Sequence, residues 1–386
     1  MSEAARIPLA LYVHLPWCVR KCPYCDFNSH AVPAAGVPQD RYLAALLDDL
    51  ELASLDAAGR EVVSVFFGGG TPSLFGADSL ARLLDRARTL LRFARDVEIT
   101  LEANPGTIEH GRFADYASIG INRVSLGAQS FDDAMLQSLG RIHSAGDVER
   151  AVDEVRAAGI DNFNLDLMYA LPAQDLAGAL ADVERAIALQ PTHLSHYQLT
   201  LEPGTPFARH PPPRLPDDDA ALAMQESCEA RLEAAGFAQY EVSAYALPGR
   251  QCVHNLGYWR FDDYLGIGAG AHGKVTLADR TIVRTVRVRH PAAYSGAESA
   301  QARVAERRSV TGDELPFEYC LNRLRLRDGF DRADFVARTG VPLEAIDRPL
   351  ADAIRRGLLA EGEDRWVPTP LGRRFLNDLQ ALFLPG

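Results

Sequence analysis

From residue 9 to about 245 the chain alternates short apolar runs with longer amphipathic ones. Six runs rich in β-branched and aromatic residues read as strands: LALYVHL at 9–15, VVSVFF at 62–67, VEITLEA at 97–103, NRVSLGA at 122–128, NFNLDLMY at 162–169 and HLSHYQLT at 193–200. Between them, segments such as RYLAALLDDLELASL, DSLARLLDRARTLLRF and DLAGALADVERAIAL carry apolar residues at helical spacing. This βα repetition predicts a parallel sheet with crossover connections. Six units can form an open doubly wound sheet or an incomplete barrel, and the polar residues decide between them. Gly68, Gly69, Gly70 and Thr71, then Glu102, Gln129 and Asp166, fall at or near the carboxyl ends of different strands. Barrel enzymes assemble their sites there. A dinucleotide-binding sheet concentrates its signature after the first strand, and GGGTP is not GxGxxG. The fold class expected over 1–245 is therefore α/β, a partial (β/α)6 TIM-like barrel.

After about residue 245 the rhythm stops. Residues 246–300 form a glycine- and aromatic-rich extension, with Tyr258, Trp259, Phe261 and Tyr264 followed by GIGAGAHG. Its first part, to about 275, reads as packed loop with little regular structure, whereas 281–290 alternates like a strand. Residues 301–386 read as a small helical domain with a short strand or wing, built on PFEYCLNRLRL, DRADFVART, PLADAIRRGLLAEG and WVPTPLGRRFLNDLQALF. This part resembles a winged helix, but its charge does not support DNA binding. Pro211–Pro213 mark a rigid excursion between units.

Composition changes the picture only in what it excludes. The 386 residues are 47 % hydrophobic and 24 % charged, enough for a sizeable core. A formal net charge of −12 argues against nucleic acid or anionic lipid as a broad partner. The local exception is 280–310, where Arg280, Arg284, Arg287, Arg289, Arg303, Arg307 and Arg308 face only Glu298 and Glu306. That run is either a solvated basic face or a site for a carboxylated ligand. No charged, apolar leader opens the chain and no apolar run approaches the roughly 20 residues of a membrane span. A cytoplasmic location is expected, with any membrane contact peripheral. Of six cysteines, three lie within eight residues. In a reducing compartment that grouping reads as metal ligation, while Cys228, Cys252 and Cys320 read as buried small hydrophobes.

Cys18, Cys22 and Cys25 form CxxxCxxC immediately after the first strand. Thiolates at this spacing in a tight loop can wrap three corners of a cubane cluster and leave the fourth iron open. Zinc would want a fourth donor nearby, for which His14 and His30 are available. An electron-transfer cluster would recruit a fourth cysteine, and the three isolated ones have no motif around them.

With Tyr24 before the third cysteine, the motif resembles the radical S-adenosylmethionine superfamily. The resemblance implies a [4Fe–4S] cluster whose open iron chelates the methionine moiety of S-adenosyl-L-methionine. One electron from that cluster then cleaves the sulfonium C5′ bond to give methionine and a 5′-deoxyadenosyl radical. Seven segments, LYVHLPWCVRKCPYCDFNSH, FFGGGTPSL, LEANPGT, RVSLGAQSF, NLDLMYALPAQ, YQLTLEPGTPF and HNLGYWRFDDYLGIGAGAH, carry a narrower resemblance. They are similar to the oxygen-independent coproporphyrinogen III oxidase group, and most of all to its heme-chaperone branch. Carried over residue by residue, Tyr12 packs beside cluster and cofactor, and the Gly69–Gly70–Thr71 turn offers backbone groups to the methionine amino group. Glu102, Gln129, Arg141 and Asp166 line the rest of the cofactor. On sequence alone, Arg141 is also readable as a surface helix residue, and Gln129 and Asp166 as caps.

Two departures separate the chain from the oxidases. They continue the motif as CxxxCxxCxC, where this chain has Phe27, and they carry a long segment before the cluster, where this chain has 17 residues. Both departures fit the chaperone branch. That branch associates heme binding with HNxxYW, here His254 to Trp259. Imidazole is a competent axial ligand, and Tyr258 and Trp259 can stack on a macrocycle. Cys252, His14 and His272 are rival ligands, and arginines of 280–290 can meet the propionates. The expected function is to hold heme and pass it to apo-hemoproteins of a respiratory chain. Peripheral inner-membrane contact and a cluster-dependent homodimer are implied alongside. The alternatives are decarboxylation of coproporphyrinogen III to protoporphyrinogen IX, a radical enzyme on another substrate, and a non-catalytic metal scaffold.

Overall fold

A computed structural model describes residues 7–107 and 112–385. Its centre is a run of parallel strands at the expected places. β1 (Leu9–Leu15) is followed by the two-residue pair β2 (Trp17–Cys18) and β3 (His30–Ala31), then β4 (Glu61–Gly69), β5 (Arg92–Ala103), β6 (Arg123–Gln129), β7 (Phe163–Tyr169) and β8 (His193–Gln198). β1, β4, β5, β6, β7 and β8 lie side by side in that order, every neighbouring pair parallel. Helices Gln39–Ser54, Ala77–Leu90, Ala145–Ala157 and Leu176–Ala188 connect them. Helices cover one face of the strands, and β1 has six of its seven residues buried; the later strands also carry polar residues, among them Arg123, Ser125, Asn164, Asp166 and His193, which line a common chamber. Leu11, Val13, Val65, Leu101, Val124 and Leu165 join helix residues such as Leu46, Leu83 and Val152 in one core.

The sheet does not stop at six strands. Short β9 (Ala238–Gln239) and β10 (Ala244–Ala246) extend it antiparallel beyond β8. On the other side β11 (Asp263–Ile267) pairs parallel with β1, and β12 (His272–Thr276), β13 (Ile282–Arg287) and β14 (Val304–Ser309) continue antiparallel. The sheet has twelve strands with β14 and β9 at its ends, an incomplete barrel.

Two stretches differ from the expectation. Residues 246–275, read as loop, contain the helix Val253–Trp259 and two strands. The glycines that made the segment look irregular form the tight connection between β11 and β12. That turn is pinned to the helix Gln39–Ser54: Gly268 N donates to Asp49 Oδ2 at 3.2 Å and Ala269 N to Tyr42 Oη at 2.8 Å. β14 has almost every side chain exposed, and its charged sequence hid it; charges on an edge strand deter pairing with other chains.

The C-terminal part has helices Leu315–Arg323, Arg332–Thr339 and Asp347–Arg355 and a small antiparallel sheet. Its strands are β15 (Phe330–Asp331), β16 (Leu359–Glu361) and β17 (Arg365–Pro368), in the order β15-β17-β16. Tyr319, Phe330, Phe335, Leu350 and Trp366 share a core with Phe261, Ile282 and Val310, so this part is seated on the main sheet.

The arginines of 280–310 are mostly committed. Arg284 pairs with Glu318, Arg287 with Asp49 (2.7 Å), Arg303 with Asp48 (3.4 Å), Arg307 with Asp56 (2.7 Å) and Arg308 with Glu314 (3.1 Å). Arg280 donates to the Ala337 carbonyl at 2.9 Å. Among the described residues no helix is long and apolar enough to cross a membrane.

Candidate functional site

The three clustered cysteines lie on the loop that leaves β1. The loop is closed at its base by the β2–β3 pair, with His30 N donating to Pro16 O at 2.7 Å and Val32 N to Cys18 O at 2.9 Å. Inside it, Cys25 N donates to Cys22 O at 3.2 Å, and Lys21 Nζ donates to the carbonyls of Phe27 (2.9 Å) and Ser29 (3.1 Å). All three thiols are free and half-buried, and all three line one cleft. Burial pushes the Cys18 and Cys25 thiols up, while hydroxyls of Thr71 and Ser29 on Cys18, and of Ser29 on Cys25, favour the thiolates. The other three cysteines are buried elsewhere. Among the described residues no three His, Cys, Asp or Glu side chains converge on a single point as one ion would require.

The opposite wall comes from the carboxyl ends of successive strands. At the end of β4, Gly69 has φ +114°, and a Cβ there would sit 2.6 Å from the His14 ring. A Cβ on Gly70 would lie 2.6 Å from the Trp17 carbonyl, so only glycine lets the turn pass under the cysteine loop. The amides of this turn are used internally: Gly69 donates to Glu102 Oε2 (3.1 Å), Gly70 to Leu15 O (2.9 Å) and Thr71 to Trp17 O (2.7 Å). Its carbonyls are the groups suited to accept from an ammonium.

Glu102, near the end of β5, carries a carboxyl whose pKa burial and the nearby Asp166 raise to about 8. Asp166 on β7 is also raised by burial, although Asn164 Nδ2 (2.8 Å) and Ser125 Oγ (3.2 Å) donate to it. Gln129 ends β6 with φ +69°, which turns its side chain toward the cleft at a cost of about 1 kcal/mol or more. Tyr197 Oη donates to its Oε1 at 2.8 Å. Arg141 is not a surface helix residue: Nη2 donates to Gly127 O at 2.8 Å and Nη1 to Cys22 Sγ at 3.5 Å. His143 fixes the segment that carries it, bridging Asn104 Oδ1 (3.1 Å) and the Ala128 carbonyl (3.0 Å). Cys18, Cys22, Cys25, Gly69, Gly70, Thr71, Glu102, Gln129, Arg141 and Asp166 thus share one cleft. Tyr12 stands just outside it, beneath Glu102, with Oη 2.9 Å from His14 Nδ1.

The radical SAM superfamily model matches residues 12–185, and the model described as the HemN C-terminal domain matches residues 310–375. The chain is 51 % identical over 378 residues to the heme chaperone HemW of Escherichia coli, covering 98 % of each chain. It is 40 % identical to the heme chaperone HemW of Mycobacterium tuberculosis, over 95 % of this chain and 92 % of that one. The chain belongs to the HemW family of radical SAM proteins. Its fold is that of the coproporphyrinogen III oxidase HemN from E. coli, with a TM-score of 0.82 at 23 % identity, over 99 % of this chain and 92 % of that one.

The HNxxYW element of this HemW-family chain forms the helix Val253–Trp259, and the chamber that His254 lines adjoins the cluster cleft at Glu102, Ser125 and Asp166. His254 is 2 % exposed. Its Nδ1 lies 3.0 Å from Ser64 Oγ and its Nε2 3.0 Å from Tyr258 Oη, so both ring nitrogens are engaged. The ring stacks on Phe66 at 4.9 Å, and burial lowers its pKa to about 3. The chamber it lines is about 190 Å³, and Tyr12, Phe66 and Arg123 share its wall. Cys252 is equally inaccessible, bonded to Glu98 at 3.5 Å with burial pushing its thiol up to about 12. Sequence reasoning missed Tyr197, Ser125 and Asn104 in the cleft. Tyr197 lies inside the strand predicted over 193–200, so it carried no strand-end signal of the kind that singled out Gln129.

Proposed function

We propose that this chain is a heme chaperone of the radical SAM type. It holds a [4Fe–4S] cluster on Cys18, Cys22 and Cys25, binds S-adenosyl-L-methionine against that cluster, and passes heme to apo-hemoproteins, in particular those of a respiratory chain. The observation that carries the reading is the cleft itself, where three free thiols face Glu102, Gln129, Arg141, Asp166 and the Gly69–Thr71 turn. The donor set fits: three free thiols on one cleft, with the other three cysteines buried outside it, suit a cluster with one open iron. When bound, the cluster supplies one-electron reduction of the cofactor. The chain's own part is to bind and orient. The turn carbonyls suit the methionine ammonium, and Glu102 and Asp166 suit hydroxyls or a cationic group. The Arg141 guanidinium stands beside Cys22, with Nη1 donating to its sulfur.

The names of the relatives favour cargo handling over decarboxylation, and so does Phe27. It replaces the fourth cysteine of the oxidase motif and is 64 % exposed at the cleft rim. Peripheral contact with the inner membrane and a cluster-dependent homodimer belong to the same reading and rest on the family resemblance alone. The test is transfer. Anaerobically reconstituted, heme-loaded protein is mixed with the apo form of a b-type hemoprotein, and the recipient's Soret spectrum is followed. The reading expects holo-recipient to form faster than from free heme. Recipient formation no faster than from free heme, with protoporphyrinogen IX formed from coproporphyrinogen III, overturns it.

A further inference from the structure

Beside the cluster cleft, and meeting it at Gly69 and Glu102, runs a groove of about 750 Å³. Its volume lies in the range of small-molecule sites. One wall is the sheet face carrying Tyr264, His272 and Val286, in which His272 of β12 is paired with Val286 of β13. Tyr258 packs edge-on against Tyr264, with ring centroids 4.6 Å apart at 86°. Phe27 closes the inner side and is exposed beyond what a large apolar ring needs for packing. We propose that this groove is the porphyrin site, with His272 the axial ligand of the heme iron and Arg289 the partner of a propionate. This rests on the heme-chaperone reading and names its site.

Elimination among the nearby ligands supports His272. His14, the other histidine of the groove, has Nδ1 against Tyr12 Oη and Nε2 against the Asn28 carbonyl, each at 2.9 Å. His254 has both nitrogens engaged and Cys252 is sealed in the core. The His272 side chain is exposed at the start of its strand and makes no hydrogen bond among the described residues. Burial and the nearby Arg284, opposed by Glu306, keep its pKa below the ordinary value.

The arginines sort the same way. Arg284 is committed to Glu318 and Arg287 to Asp49, whereas Arg289 is exposed, with Asn28 Oδ1 at 3.3 Å and no carboxylate partner among the described residues. An unpaired guanidinium at the rim of an aromatic groove suits a ligand that is apolar in the middle and anionic at its edge. His254 then acts as a positioning residue, bracing the hydroxyl of the Tyr258 wall from behind.

The test is a titration of the full chain with ferric heme, followed by Soret absorbance and electron paramagnetic resonance. His272→Ala is expected to weaken binding at least about tenfold, to lose the nitrogen-ligated spectrum, and to regain it with added imidazole. Arg289→Ala and His254→Ala are expected to weaken binding while the bound heme keeps the wild-type ligand spectrum. Circular dichroism checks that each variant is folded, which an exposed strand-end side chain should not disturb. If wild type binds heme but His272→Ala binds it with unchanged affinity and spectrum, the groove assignment falls and the chaperone reading stands. If His254→Ala alone removes the nitrogen-ligated spectrum, the ligand is His254 and the assignment falls. If wild type shows no saturable binding, both fall.

Discussion

Burial and the nearby Asp166 raise the pKa of Glu102 to about 8. In the unfolded chain it titrates near its ordinary value of 4.5, so across the interval between these values the folded state binds more protons. Its contribution is fully present below the lower value and is lost as pH rises through the upper one. Denaturation midpoints of ligand-free wild type should therefore fall between about pH 5 and 8 more steeply than those of Glu102→Gln. Equal slopes would show that Glu102 is not the group responsible. A cation beside the carboxyl favours its ionised form, so S-adenosylmethionine affinity should rise with pH over the same window in wild type and lose that dependence in Glu102→Gln. Calorimetric titration at several pH values checks it. At this scale the sequence disclosed about half of the cleft, the cysteines by their motif, Arg141 by the family resemblance, and the others because a polar or glycine residue at the end of a strand has few places to point. Tyr197 and the brace His143 stayed hidden because their roles depend on which strands become neighbours. His254 misled for the complementary reason: a motif names a histidine without saying that Ser64 and Tyr258 will occupy both its nitrogens.

At the scale of elements, the first six strands were legible because each is a short run rich in β-branched, aromatic or other apolar residues, bounded by amphipathic helical segments. β11, β12 and β14 were not, one pair masked by a glycine-rich turn and the other by charges at an exposed edge. Two contacts between elements can be tested directly. Gly70→Ala would drive a Cβ into the Trp17 carbonyl, so β4 and the cysteine loop cannot keep their approach. It should cost about 1–3 kcal/mol in urea denaturation and lower iron loading; unchanged stability and loading would contradict the close approach. Asp49 is fully buried, accepts from Arg287 Nε and Tyr294 Oη at 2.7 Å each, and holds the β11–β12 turn through Gly268 N. Asp49→Ala leaves the Arg287 charge buried without its partner and should cost about 3–5 kcal/mol. A loss below about 1 kcal/mol, within the worth of a surface pair, would contradict this anchoring role.

Over the whole molecule, the C-terminal part shares its apolar core with the main sheet through Phe261, Ile282 and Val310, and ion pairs Arg325–Glu241, Arg327–Glu229 and Arg338–Asp262 reinforce the seam. Calorimetry of the full chain should show a single unfolding transition, and removal of residues 310–386 should leave an insoluble remainder; two resolved transitions would contradict the shared core. Everything proposed for this chain depends on the cleft that the parallel strands and the cysteine loop enclose. The most direct measurement is anaerobic reconstitution with iron and sulfide, followed by electron paramagnetic resonance of the reduced protein with and without S-adenosyl-L-methionine. The account predicts iron and sulfide in equal amounts, a [4Fe–4S] signal that changes when the cofactor is added, and loss of both in Cys22→Ala. A reconstituted cluster whose signal ignores the cofactor, or one that survives loss of Cys22, would contradict it.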